Sequence, residues 1–178
     1  MDKIFKEVLI TQDEIREACM RLGKQISIDY KDKSPLMIGL LKGCVPFIGD
    51  LGKYITITVE MDYMDVSSYH GGTSSSLEVK IIKDLNSPVK DRDVIIAEDI
   101  VDTGNTLHKV IELLKYRGAK SVEVVTLLNK EEGRKVTMVP KYVGHEIPNK
   151  FVVGYGLDYE ELYRNIPYIG VLKPEIYE

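Results

Sequence analysis

The chain has 178 residues, 44% of them hydrophobic and 29% charged, with 24 Lys and Arg against 28 Asp and Glu for a net charge of −4. This length predicts a single domain over residues 1–178, since domains commonly run to roughly 100–200 residues, and a chain of this size buries roughly 70% of the surface its unfolded form exposes. Such a composition excludes disorder, collagen and coiled coil as global descriptions. The acidic balance excludes a broad basic face for nucleic acid, but not a small basic pocket for an anionic substrate. No apolar run approaches the roughly 18 residues needed to span a bilayer. The start, Met1-Asp2-Lys3-Ile4-Phe5, has no apolar signal core, so no membrane partner is expected and the cytoplasm is the expected compartment.

Thr11-Gln12-Asp13-Glu14 reads as a capping box, and Ile15, Ala18, Cys19, Leu22 and Ile26 follow at helical spacing, which predicts a helix over 12–29. The apolar run Pro35 to Leu41 predicts a strand buried on both faces. Lys42-Gly43-Cys44 breaks it, leaving Cys44 accessible at a loop start, and Pro46 suits the first turn of a helix running to about Lys53. Ile55 to Tyr69 reads as a β-rich stretch. His70-Gly71-Gly72-Thr73-Ser74-Ser75-Ser76 offers almost nothing to bury and reads as a mobile loop tip, with a return strand from Leu77 to Leu85.

Val94-Ile95-Ile96-Ala97 predicts a second buried strand, running into Glu98-Asp99-Ile100-Val101-Asp102-Thr103-Gly104-Asn105-Thr106. Leu107, Val110, Ile111 and Leu114 mark the next helix, with Gly118 as its C-terminal stop, and Ser121 to Leu128 a third buried strand. Shorter strands follow near Tyr142, Phe151 and Ile169. Strand–loop–helix–strand is a βαβ unit, so the fold class is α/β: an open, mostly parallel twisted sheet flanked by helices. The two cysteines make no disulfide framework, and His70, His108 and His145 lie too far apart in sequence to suggest a metal site.

Ligands of open α/β sheets bind beyond the carboxyl ends of the strands. Three loops leave such ends: Lys42-Gly43, Glu98 to Thr106, and Asn129-Lys130. In the central one two carboxylates end a strand, and small and hydroxyl residues open a helix. Backbone N–H groups and two hydroxyls there suit an anion such as phosphate, while the carboxylates suit sugar hydroxyls or a divalent cation. The alternative is plain architecture, with Asp102 or Thr103 capping the helix and Gly104 permitting a tight turn. The residues alone leave both readings open. Neither G-x-x-x-x-G-K-[ST] nor a dinucleotide fingerprint is present.

The run Ile95 to Leu107 resembles the phosphoribosyl-pyrophosphate (PRPP) signature of type I phosphoribosyltransferases. Leu41-Lys42-Gly43, Ser68-Tyr69, Lys130, and Phe151-Val152-Val153-Gly154-Tyr155-Gly156-Leu157-Asp158-Tyr159 with Arg164 resemble, in order, the hypoxanthine-guanine phosphoribosyltransferase family over nearly the whole chain. The resemblance implies the family's fold, with a small hood from the terminal segments. It also implies transfer of the 5-phosphoribosyl group of PRPP to a 6-oxopurine, with Mg²⁺ as cofactor and a homodimer or homotetramer as assembly.

By the same resemblance Glu98, Asp99, Asp102, Thr103, Gly104, Asn105 and Thr106 bind the 5′-phosphate and ribose of PRPP, with Asp102 the general base near purine N7. Lys42, Gly43 and Arg164 bind pyrophosphate, and the Lys42–Gly43 peptide is a candidate cis bond. Lys130, Phe151, Val152 and Asp158 bind the purine: Lys130 through the 6-oxo group, Phe151 by stacking, Val152 through its backbone. Glu98, Asp99 and Asp158 hold the metal, and Ser68 and Tyr69 stand at the base of a lid that excludes water. Some family members carry Lys where this chain has Asn105, which offers the 5′-phosphate neutral hydrogen bonds in place of charge. Taken singly, Lys130 lies in a charge-rich loop and reads as solvated, and Arg164 as a surface ion-pair partner.

Overall fold

A computed structural model describes residues 4–69 and 78–177. The Gly/Ser-rich segment expected to be a loop tip lies outside the described residues. Nine strands and four α-helices are assigned among those described: β1 Phe5–Ile10, α1 Gln12–Asp29, β2 Leu36–Leu41, α2 Val45–Gly52, β3 Glu60–Tyr69, β4 Glu78–Lys83, β5 Asp93–Val101, α3 Asn105–Tyr116, β6 Ser121–Asn129, β7 Tyr142–Glu146, β8 Val152–Val153, β9 Ile169–Leu172 and α4 Pro174–Tyr177.

Six strands form one sheet in the order β4-β3-β2-β5-β6-β7, and β1, β9 and β8 form a second of three. In the large sheet β3, β2, β5, β6 and β7 are mutually parallel and only β4 is antiparallel. The run of apolar residues in β2 and β5 follows, since Leu36, Met37, Ile38, Val94, Ile95, Ile96 and Ala97 are fully buried between helices on both faces. On one face α1 and α2 place Leu22, Ile26, Phe47 and Leu51 against Ile95 and Val125. On the other, Leu107, Val110 and Leu114 of α3 cover Ile38, Val94 and Ile96. Truncating a fully buried leucine such as Leu22 to Ala costs about 2–5 kcal/mol in sites of this kind.

The capping box is formed: the Thr11 hydroxyl accepts from the Glu14 N–H at 3.3 Å, and the Thr11 N–H donates to the Glu14 carboxylate at 2.8 Å. Two expectations are corrected. Ile55 to Val59 is not strand. After α2 the chain turns through Tyr54 and Ile55, the Thr56 N–H donates to Ser27 Oγ of α1 at 2.9 Å, and Ile55 and Ile57 pack on the core without entering a ladder. Cys44 is fully buried rather than accessible, and burial pushes its thiol up to about 12. In line with the hood expected from the terminal segments, Phe5–Ile10 forms β1 and pairs antiparallel with β9.

Candidate active site

Parallel alignment brings three loops to one edge of the large sheet. Val101 at the end of β5 is opposite Asn129 at the end of β6, and β2 lies on the other side of β5. The loops that leave these ends carry Lys42-Gly43, Asp102 to Gly104, and Lys130. Glu98, Val101, Asp102, Thr103, Gly104 and Thr106 line a recess of about 160 Å³ there. A larger cleft, about 270 Å³, lies between α1 and α2 around Asp50 and Tyr155. There Lys53 and the Tyr155 hydroxyl already satisfy the Asp50 carboxylate. Of these two, the smaller recess is the candidate site because it stands at the strand ends.

Its loop is built for an anion. Gly104 precedes α3 with φ +77°, a left-handed conformation that favours glycine, and a Cβ there would come within 2.9 Å of Val136 and 3.0 Å of Arg134. The N-cap Gly104 brings no side chain, Asp102 does not cap the helix, and the Thr103 hydroxyl makes only a long 3.5 Å contact with the Asn105 N–H, so the N–H groups that follow in the first turn of a 12-residue helix are left for a ligand. Asn105 is the first residue of that helix, and Thr106 lines the recess.

Arg134, which the sequence reading left among loop charges, holds the loop from behind. Its Nε donates to the Asp102 carbonyl at 2.9 Å, its Nη2 to the Val101 carbonyl at 3.3 Å, and its Nη1 to the Met138 carbonyl. It also donates to the Asn129 side chain. The signal for it was weak: one arginine within Lys130-Glu131-Glu132-Gly133-Arg134-Lys135.

Taken alone Lys130 reads as a solvated loop charge, and that reading does not hold. Lys130 is 9% exposed rather than solvated, and its Nζ lies 2.7 Å from Asp102 Oδ2. Its backbone N–H donates to the Val101 carbonyl at 2.9 Å, which fixes the two loops to each other. Gly133 packs directly against the Lys130–Asp102 pair, and a Cβ there would fall 2.1 Å from Asp102 Oδ1 and force the carboxylate to shift. The structure thus joins a cation and a carboxylate that are distant in sequence.

Glu98 and Asp99 do not end the strand as expected but lie within β5, which runs on to Val101. Burial, reinforced by Asp99, raises the Glu98 carboxyl well above the usual range, and burial pushes Asp99 up to about 6 against the lowering effect of its bond from the Ile100 N–H. Asp99 lies against Gly43, where a Cβ would meet its Oδ2 at 1.7 Å. The cis peptide is Leu41–Lys42, one bond earlier than expected.

Beyond Gly43 the segment after β8 folds back, and a Cβ on Gly156 would fall 2.0 Å from the Gly43 carbonyl. Arg164 donates to the Gly156 carbonyl at 2.7 Å and pairs with Asp158 at 2.8 Å. Lys42 pairs with Glu161 at 2.7 Å. In the hood, Phe151 is 39% exposed, stacked on Tyr177 with ring centroids 4.8 Å apart and edge-on to Tyr159 at 5.8 Å, while Val152 is buried and paired with Val171. Ser68 and Tyr69 end β3 next to the segment outside the described residues.

No set of three His, Cys, Asp or Glu among the described residues is arranged to enclose a metal. The donors present are nonetheless oxygen only. Glu98 and Asp99 are held above their ordinary range by burial and lack a cationic neighbour in contact, a deficit that a divalent cation removes. This fits a hydrated Mg²⁺ shared with substrate phosphates better than an all-protein cage.

The model of the phosphoribosyl transferase domain matches residues 10–160. A bifunctional TilS/HprT protein of Listeria innocua is 56% identical over 99% of this chain, and the chain spans only 27% of that relative's length. A hypoxanthine-guanine phosphoribosyltransferase of Lactococcus lactis is 55% identical, covering 99% of this chain and 96% of its own. The crystal structure of a hypoxanthine phosphoribosyltransferase from Staphylococcus aureus superposes with a TM-score of 0.96 at 53% identity, covering 100% of this chain and 97% of that one. No helix among the described residues is long and apolar enough to cross a membrane.

Proposed function

The chain belongs to the phosphoribosyltransferase family, and from that premise we propose that it transfers the 5-phosphoribosyl group of PRPP to hypoxanthine or guanine in purine salvage, giving IMP or GMP and pyrophosphate. One observation carries the choice of base. Lys130 Nζ and Asp102 Oδ2 stand side by side at 2.7 Å, one a donor and the other an acceptor. A 6-oxopurine offers the complement on a single edge: an accepting O6 beside N7, which must shed a proton during reaction. Adenine offers a donating amino group there, facing an ammonium that can only donate. Near-full-length likeness to the Lactococcus enzyme supports the same reading.

In the reaction a ring nitrogen of the base attacks C1 of the ribose. The C1–oxygen bond to pyrophosphate breaks, and its electron pair leaves with pyrophosphate. Asp102 takes the proton released from the purine. Lys130 holds O6 and keeps Asp102 on the N7 side. The residues Asp102 to Thr106, braced by Arg134, hold the 5′-phosphate on backbone N–H groups. Phe151 supplies the stacking face and Val152 the backbone edge. Lys42, Gly43 and Arg164 receive the pyrophosphate. Glu98, Asp99 and Asp158 would hold Mg²⁺, which when bound neutralises charge on the departing pyrophosphate. The compartment proposed is the cytoplasm, and the assembly a homodimer or homotetramer.

The test is a panel of hypoxanthine, guanine, xanthine and adenine with PRPP and Mg²⁺, following nucleotide formation, with a parallel series in excess EDTA. The expected outcome is turnover of 6-oxopurines only, and none after chelation. Equal use of adenine overturns the base assignment, and undiminished turnover in EDTA overturns the cofactor.

A further inference from the structure

The two cations assigned to pyrophosphate both meet one carboxylate. Glu161 Oε2 lies 2.7 Å from Lys42 Nζ, and Glu161 Oε1 lies 3.3 Å from Arg164 Nη2. A pyrophosphate presents anionic oxygens to the same two groups. The placement of Glu161 is built by the backbone. Glu160 and Glu161 are consecutive residues in left-handed conformation, at φ +51° and +65°, and the Glu161 N–H donates to Asp158 Oδ2 at 2.9 Å. Asp158 in turn pairs with Arg164. The Arg164 Nε is buried with no partner among the described residues, so Glu161 and Asp158 leave the guanidinium incompletely satisfied.

Lys42 and Glu161 are 61% and 64% exposed in their side chains. An ion pair so open to water is weak and exchanges readily. Two strongly bound phosphate groups compete better for the cations than one carboxylate does.

Resting on the reading of Lys42 and Arg164 as the pyrophosphate ligands, we infer that Glu161 is a resident counter-anion of that subsite. It neutralises Lys42 and Arg164 in the empty enzyme, is displaced when the pyrophosphate group of PRPP arrives, and returns as pyrophosphate leaves. No bond to carbon or phosphorus is made or broken by Glu161. Its effect is to weaken pyrophosphate binding by direct competition, which lowers product inhibition and speeds release. Glu161 is therefore an affinity-setting residue for the diphosphate end of the substrate, and not a contact of the base.

The experiment compares the intact wild-type enzyme with Glu161→Gln and Lys42→Ala, using inorganic pyrophosphate with Mg²⁺ as the probe. The inhibition constant of pyrophosphate and the KM values of PRPP and hypoxanthine are measured for each. Glutamine keeps the shape of Glu161 and removes its charge. Glu161→Gln is expected to tighten pyrophosphate about 3–10-fold, as loss of two partly exposed ion pairs implies, and to lower the KM of PRPP in the same direction, with that of hypoxanthine nearly constant. Structural damage weakens ligands, so a gain of affinity separates competition from misfolding. Lys42→Ala is expected to weaken pyrophosphate. Unchanged or weaker pyrophosphate binding in Glu161→Gln, with Lys42→Ala weakened as expected, overturns the inference about Glu161 alone. Unchanged pyrophosphate binding in Lys42→Ala removes the subsite assignment and the inference with it.

Discussion

Replacing Lys130 by Ala tests the base assignment where the geometry is most specific. Lys130 is 9% exposed and stands 2.7 Å from Asp102. A hydrogen bond from an ammonium in such a place contributes about 1.5–3 kcal/mol, which is about 10–100-fold in kcat/KM. That factor should be lost for hypoxanthine and guanine. Adenine gains nothing from Lys130, so its kcat/KM should move little, and the oxo-to-amino ratio should contract by the same factor. The cost to folding is smaller. Asp102 keeps 43% of its side-chain exposure, so its carboxylate remains hydrated without its partner, and the lost pair is worth about 1 kcal/mol or less. The assay is kcat/KM for the three bases at saturating PRPP, with thermal melting as a control for folding. A folded Lys130→Ala enzyme whose oxo-to-amino ratio matches wild type would falsify the reasoning and move base selection to the Phe151–Val152 segment.

Asp102→Asn should reduce kcat by about 10²–10⁴-fold, the usual contribution of general acid–base help, while the KM of PRPP changes little; near-wild-type kcat removes Asp102 from proton transfer. Arg134→Gln should weaken a nucleoside 5′-monophosphate by about 10-fold or more, because carbonyls of the loop lose their donor. Inorganic pyrophosphate should be nearly unaffected, and equal losses for both ligands refute a role specific to that loop. Asp99 sits at about 6 in the fold against 3.8 ordinarily, a raised carboxyl whose ionisation opposes folding. Its penalty is absent below the ordinary value, grows as pH rises from about 4 to about 6, and is complete above that, amounting to up to about 3 kcal/mol. Asp99→Asn should thus raise the Tm of the ligand-free protein at neutral pH and leave it nearly unchanged near pH 4; no gain at neutral pH contradicts the burial argument.

Local chemistry made part of the fold legible. A side chain and backbone three residues apart form the capping box of α1, and the apolar runs of β2 and β5 reflect burial on both faces. What failed was set by distant partners. The alternating Ile55-Thr56-Ile57-Thr58-Val59 looks like strand, yet Ser27 and the α1 surface take it instead. In β1 only the two end residues, Phe5 and Ile10, are buried, with register shifts against β9, so period-two alternation is lost. At the site, Glu98, Val101 to Gly104 and Thr106 of the Ile95–Leu107 run line one recess. Lys130 and Arg134 read as solvent charges because the groups that bury them, at Asp102, Val101 and Met138, come from other strands' ends or beyond the turn.

The pairing of β1 with β9 joins Phe5 to Leu172, so nearly the full length of the chain is the loop that this contact closes. Closing so long a loop carries a large entropic cost, and contacts of that range form late in folding. β8 and the neighbouring Phe151 belong to the same small sheet. The half of the site that meets the base therefore depends on a contact of far longer range than the phosphate loop, whose βαβ frame is local. A sheet of three short strands has fewer neighbours to hold it than the six-stranded sheet and opens at lower cost. Amide hydrogens of Val152 and Val171 should exchange ahead of those in β5 and β6, and a bound purine should slow them more than it slows the central strands.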